Sequence, residues 1–174
     1  MERSGITTGI VQVSCVACLL ATACGDILGA TVEGSSTREI RELYGELRDF
    51  AESGRGFGCY TDDTQMTLAL ATSLVECGHV DAAHVSAKYA QFYEPWRGYG
   101  GAAHRVMRLL QDGGDYLGTG RLQFPEGSFG NGGAMRIAPV GLACRHADAE
   151  ELAEAVEDAL LCTHVHPEAI GLPG

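Results

Sequence analysis

The stretch Cys59-Tyr60-Thr61-Asp62-Asp63-Thr64-Gln65-Met66, running into Thr67-Leu68-Ala69-Leu70, constrains this chain more than any other. Met66, Leu70, Leu74 and Cys77 recur at helical spacing, and Gly78 stands where the run ends. The pattern predicts a helix with Thr61, Asp62 and Asp63 at its N-terminal edge. A threonine or aspartate there caps free backbone N–H groups, and the helix dipole favours negative charge. Capping accounts for one carboxylate. Two side by side, between hydroxyls, repel each other unless a proton or a cation intervenes. Oxygen-only ligands select a hard ion such as Mg²⁺, but they have no diagnostic spacing. From these residues alone, cap and metal site both stay open.

The rest of the 174-residue chain supplies enough apolar sequence for one domain with its own core, and no linker or repeat divides residues 1–174. A net charge of −11 without a Lys/Arg cluster excludes a nucleic-acid surface. An anionic ligand would have to bind through backbone amides, a helix N-terminus or a metal. Seven scattered cysteines, an odd number, fit buried thiols in an intracellular, cytoplasmic setting better than a disulfide framework. Cys15-Val16-Ala17-Cys18 lies in an apolar helical run and reads the same way. That run, Ile10–Ala23, is expected to be a buried first helix. It is too short to span a bilayer, and Arg3 against Glu2 is a poor signal-peptide start, so no membrane association is expected.

Gly25-Asp26-Ile27-Leu28-Gly29 closes that helix on a close backbone approach, with Glu33 beyond it. Arg38–Glu52 has Ile40, Leu43, Leu47, Phe50 and Ala51 on one face and reads as an amphipathic helix. Asp81 starts another helix, which Pro95 stops, and Arg97–Gly101 is a tight loop before the next. Ser128–Arg136 is a glycine-rich turn opening a central helix of small apolar residues, with Pro139 as a kink or as its true first turn. Asp148 with Glu151 makes a capping box, and Thr163-His164-Val165-His166 ends the pattern. No segment alternates with period two, so the fold is expected to be all-α.

Taken in order, Gly25–Gly29 with Glu33, Tyr60–Met66, Arg97–Gly100, Gly127–Arg136 and Thr163-His164 closely resemble the ADP-ribosylglycohydrolases, specifically the type that removes ADP-ribose from serine. The resemblance implies a compact orthogonal helical domain with a binuclear Mg²⁺ site and a cleft for ADP-ribose or ADP-ribosylated protein. It implies metal ligation by Thr61, Asp62 and Asp63, and a catalytic Glu33 on a loop over the substrate. Gly98, Tyr99, Gly100 and Gly101, with Gly127, Ser128, Phe129, Gly130 and Asn131, match the loops holding diphosphate and ribose. Phe124 matches the aromatic against adenine, and His164 a histidine of the pocket. Hydrolysis at the anomeric carbon would pass through an oxocarbenium-like transition state.

The chain lacks the second acidic motif, of Gly-Asp-Thr-Asp-Thr type, which the resemblance places in a C-terminal half. A truncated, weak hydrolase is therefore expected, with apolar surface uncovered around Gly132–Ala143. A non-catalytic ADP-ribose-binding or crystallin-like relative is the alternative. An unrelated Mg²⁺-dependent phosphohydrolase would leave the Gly127–Arg136 loop unexplained.

Overall fold

The computed structural model describes residues 2–171, with side chains from Gln12 onward; the burial expected of Ile10 and the ends of the 1–174 domain fall outside the described residues. Its helices are α1 (Glu2–Ala30), α2 (Thr37–Tyr44), α3 (Asp62–Cys77), α4 (Ala82–Phe92), α5 (Gly101–Gln111), α6 (Tyr116–Thr119), α7 (Ala138–Ala143), α8 (Ala149–Leu160) and α9 (Pro167–Ile170). Among the described residues the only sheet is a hairpin of two-residue strands, β1 (Glu52–Ser53) and β2 (Gly56–Phe57). The all-α expectation holds.

α3 is the central element because it packs on α1, α4 and α7. Met66, Ala69 and Leu70 are buried on it, against Val85 and Tyr89 of α4, Val106 and Met107 of α5, Val140 of α7 and Ala159 of α8. Thr61 is its N-cap and Gly78, left-handed at φ 77°, its C-cap, as the sequence predicts. Asp81 caps α4 and Asp148 forms the predicted capping box with Glu151. The α3–α4 pair is stitched at its rim by Ser73 Oγ to His84 Nδ1 (2.8 Å) and by Glu76 to Lys88 (2.7 Å).

Three expectations are corrected. The Arg38–Glu52 helix is only α2. It ends at Gly45, and Leu43 stays 72% exposed because no layer covers that face, so the rest of the segment turns into the hairpin. The glycine-rich Ser128–Arg136 segment does not open one long helix. It passes through a 3₁₀ turn (Ala134–Arg136), and Pro139 falls in the first turn of the short α7, where its missing N–H costs nothing.

The third concerns α1. It is far longer than Ile10–Ala23, and Gln12–Ala30 is long and apolar enough to cross a membrane, with mean hydropathy 1.8. It is not buried. Val13, Val16, Ala17, Leu20, Ala21 and Cys24 form one exposed stripe at helical spacing. Uncovered apolar surface was expected around Gly132–Ala143, but there Gly133, Arg136, Pro139 and Val140 are buried. A continuous apolar stripe drives association. The protein should therefore scatter light above monomer mass, and Val16→Glu with Leu20→Glu should return it to monomer with unchanged helical circular dichroism. A monomeric wild type would contradict this.

Candidate functional site

The site starts from a carboxylate on α1 that closes the N-terminus of α3. Asp26 Oδ2 accepts the backbone N–H groups of Thr61 (2.9 Å) and Thr64 (3.2 Å) and the Thr64 hydroxyl (2.6 Å), while Oδ1 accepts the Thr61 hydroxyl (2.6 Å). The Thr64 N–H is one of those that a helix start leaves unpaired. Thr61 Oγ1 also accepts the Asp63 N–H (3.2 Å). Asp26 and Thr61 thus carry the capping, and Asp62 and Asp63 are left to face a cavity.

That cavity, of about 320 Å³, lies between α3, α5 and the Gly130–Arg136 segment. Its wall holds Glu33, Asp62, Asp63, Gly98, Gly100, Phe124, Gly130, Asn131 and His164, which are nine of the residues singled out from sequence. Burial, then the neighbouring Asp63 carboxylate, pushes Asp62 up to about 6. Burial, then Asp26 and Glu33, pushes Asp63 up as well. The acidic groups are thus crowded, and a cation or proton between them relieves the repulsion.

The positive charge comes from Arg136, which also lines the cavity and is 1% exposed. Its Nε donates to Tyr89 Oη (2.9 Å), and its two Nη groups donate to the Gly132 carbonyl and the Thr163 hydroxyl. Its guanidinium stands over the Tyr89 ring at 4.8 Å. Among the described residues no carboxylate pairs with it. A buried cation held only by neutral oxygens and the Met66 sulfur retains an unspent field for an anion.

His164 feels that field. Burial, then Arg136, pushes its imidazole down to about 4, so the ring is neutral at physiological pH. Its buried Nδ1 has no partner within the protein. The ring lies so close to Gly132 that a Cβ there would come within 2.7 Å of its Cε1, which is why that position is glycine.

The remaining predicted residues stand off the main wall. Thr61 fronts an adjoining groove of about 340 Å³ shared with Asp26, Glu33, Asp63 and Asn131. Tyr99 is in the core, its hydroxyl donating to Gln65 Oε1 at 2.8 Å. Gly101 begins α5 outside the wall, and Gly127 is packed on the Val165–His166 backbone. The Ser128 hydroxyl folds back on the Gly130 N–H (3.3 Å), and Phe129 is 71% exposed with its ring beside His166.

Sequence reasoning missed the structural weight of Asp26, although the Gly-Asp-Ile-Leu-Gly stretch marked the spot. It also missed Gln123 and Ala102, which line the cavity without any distinguishing sequence pattern.

Comparisons with known proteins agree with this arrangement. The profile of the ADP-ribosylglycohydrolase family matches residues 11–172. ADP-ribosylhydrolase ARH3 of Bos taurus is 36% identical over 138 residues, covering 72% of this chain and 38% of that protein. ADP-ribosyl-[dinitrogen reductase] glycohydrolase of Rhodospirillum rubrum is 35% identical over 154 residues, covering 85% and 50%. A solved structure, of an ADP-ribosylglycohydrolase-related protein complex, superposes with TM-score 0.66 at 31% identity, over 88% of this chain and 50% of that one. The chain thus spans half or less of the length of these relatives. Profile, relatives and fold agree: the chain belongs to the ADP-ribosylglycohydrolase family.

Proposed function

We propose that the cavity binds ADP-ribose and that the protein hydrolyses ADP-ribose conjugates, the serine-linked protein conjugate among them, with Mg²⁺. The observation that carries this is one cavity shared by Glu33, the paired Asp62 and Asp63 carboxylates and a buried arginine without a carboxylate partner. A dianionic ligand answers the arginine, and relatives named as ADP-ribosyl hydrolases supply the ligand class.

The donor set fits a hard cation in part. Asp62 and Asp63 are oxygen ligands pushed toward the neutral form by crowding, which suits a hard cation that replaces the proton. Among the described residues no group of three His, Cys, Asp or Glu is arranged to hold an ion. The two aspartates therefore supply part of one Mg²⁺ shell, which such an ion completes with water and substrate oxygens. When bound, it would neutralise the carboxylates and polarise sugar oxygens.

The chain's own residues do the rest. Glu33, 68% exposed at the mouth, would take a proton from a water attacking the anomeric carbon. Backbone amides of Asn131 and Gly132 and the Arg136 field hold the diphosphate. The neutral His164 imidazole lines the same cavity. An intracellular, cytoplasmic location without direct nucleic-acid or membrane ligands belongs to the same reading, supported by seven unpaired cysteines and the net charge of −11. ADP-ribose binding without turnover is the second reading, favoured by the incomplete ligand set.

Calorimetric titration with ADP-ribose should show binding that Mg²⁺ strengthens. Asp62→Asn and Asp63→Asn should each weaken it at least about tenfold, or about 1.4 kcal/mol. Equal binding by wild type and variants, with or without chelator, would remove the aspartates from the ligand site. Absence of binding would overturn the ligand.

His164 gives a pH test. Its folded value lies below the unfolded 6.5, so the neutral ring favours the folded state above pH 6.5, and that contribution is lost as pH falls toward 4. Discounted for partial exposure, the loss is on the order of 1–2 kcal/mol. The melting temperature of wild type should fall across this window more steeply than that of His164→Asn. Parallel curves would contradict a buried neutral ring.

A further inference from the structure

The residue left unexplained at the cavity mouth is Arg55, at the tip of the β1–β2 hairpin. The turn is fixed locally: Ser53 Oγ donates to the Gly56 carbonyl (2.9 Å) and accepts the Arg55 N–H (3.2 Å). From it the Arg55 side chain, 22% exposed, reaches two cavity-wall segments distant in sequence. Its Nη2 is 3.6 Å from Glu33 Oε2. Its guanidinium also fills the space at Gly98 where a side chain would project, so that a Cβ there would overlap it. Gly98 has φ 103°, a conformation that itself favours glycine.

Gly98 is a firm seat. The neighbouring Arg97 is held between the Tyr60 and Trp96 rings, 3.7 and 3.8 Å from their centroids, and bonds Glu94 (2.8 Å) and the Tyr60 carbonyl (3.0 Å). The Glu33 turn is held more lightly. Its described backbone bonds are Val32 N–H to the Gly29 carbonyl and Ser35 N–H to the Val32 carbonyl, each 3.0 Å.

We propose that Arg55 is a positioning residue: it clasps the Glu33 turn to the rigid Gly98 loop and so fixes the Glu33 carboxylate over Asp62 and Asp63. An exposed ion pair alone contributes little. The close seat against Gly98 is what restricts the guanidinium, and its fit to the broad guanidinium makes lysine a poor replacement. The role in turnover rests on the function proposed above; the clasp itself does not.

The test has two arms. In ligand-free protein, amide exchange at Val32 and Ser35 should quicken about fivefold in Arg55→Gln, the scale of one lost surface contact, with α4 and α5 unaffected. Gly98→Ala, which leaves Arg55 in place but fills its seat, should give the same change, and Arg55→Lys most of it. Unchanged exchange in Arg55→Gln and Gly98→Ala, with α4 and α5 still protected, overturns the clasp. In the second arm, Glu33→Gln should change ADP-ribose affinity less in the Arg55→Gln background than in wild type. Additive effects overturn the positioning role. A wild type that binds no ADP-ribose refutes the proposed function and leaves the exchange result to decide the clasp.

Discussion

The site depends on the grip of Asp26 on the start of α3. One carboxylate of α1 takes four donors from Thr61 and Thr64, residues 35 and 38 positions away. Hydrogen bonds to a charged acceptor contribute about 1.5–3 kcal/mol each, though not additively. Their larger consequence is division of labour. Asp26 and Thr61 take the Thr61, Asp63 and Thr64 N–H groups, and the Asp62 and Asp63 carboxylates, each beside its own backbone N–H, line the cavity as well. The same bonds hold the C-terminal end of α1 to α3, from which the Glu33 turn departs.

The second organising feature is a separation of charges inside one small volume. Acidic groups lie at the start of α3 and on the Glu33 turn, whereas Arg136 is sunk beneath the Gly130–Gly133 backbone and held by neutral oxygens. A protein of net charge −11 can therefore receive an anionic ligand locally. The aspartates call for a cation and the arginine for an anion. A diphosphate-bearing sugar with a divalent ion answers both.

Much of this was legible in the sequence wherever local chemistry decides. α3 was readable from cap to cap because Thr61, the apolar period and Gly78 are consecutive signals. The caps Asp81 and Asp148 were readable for the same reason, and the order of the glycine and acidic motifs brought nine wall residues together. What failed needed tertiary information. The Arg38–Glu52 periodicity was real, but Gly45 ends the helix, and beyond it Leu47 and Ala51 are only partly buried and Phe50 is 39% exposed. The apolar run of α1 looked like core, yet whether a stripe is covered depends on its neighbours. Tyr99 and Gly127 sit inside the right motifs but serve packing, a distinction that spacing cannot make. Asp26 was hidden because an acidic residue between glycines carries no mark of its partners.

The most direct test of the account is a crystal of the protein grown with ADP-ribose and Mn²⁺, read by the anomalous signal of the metal. The account predicts a manganese peak against the Asp62 and Asp63 carboxylates, with the diphosphate over the Gly130–Gly132 backbone and near Arg136. Manganese absent from those carboxylates, or ADP-ribose seated away from this cavity, would contradict it.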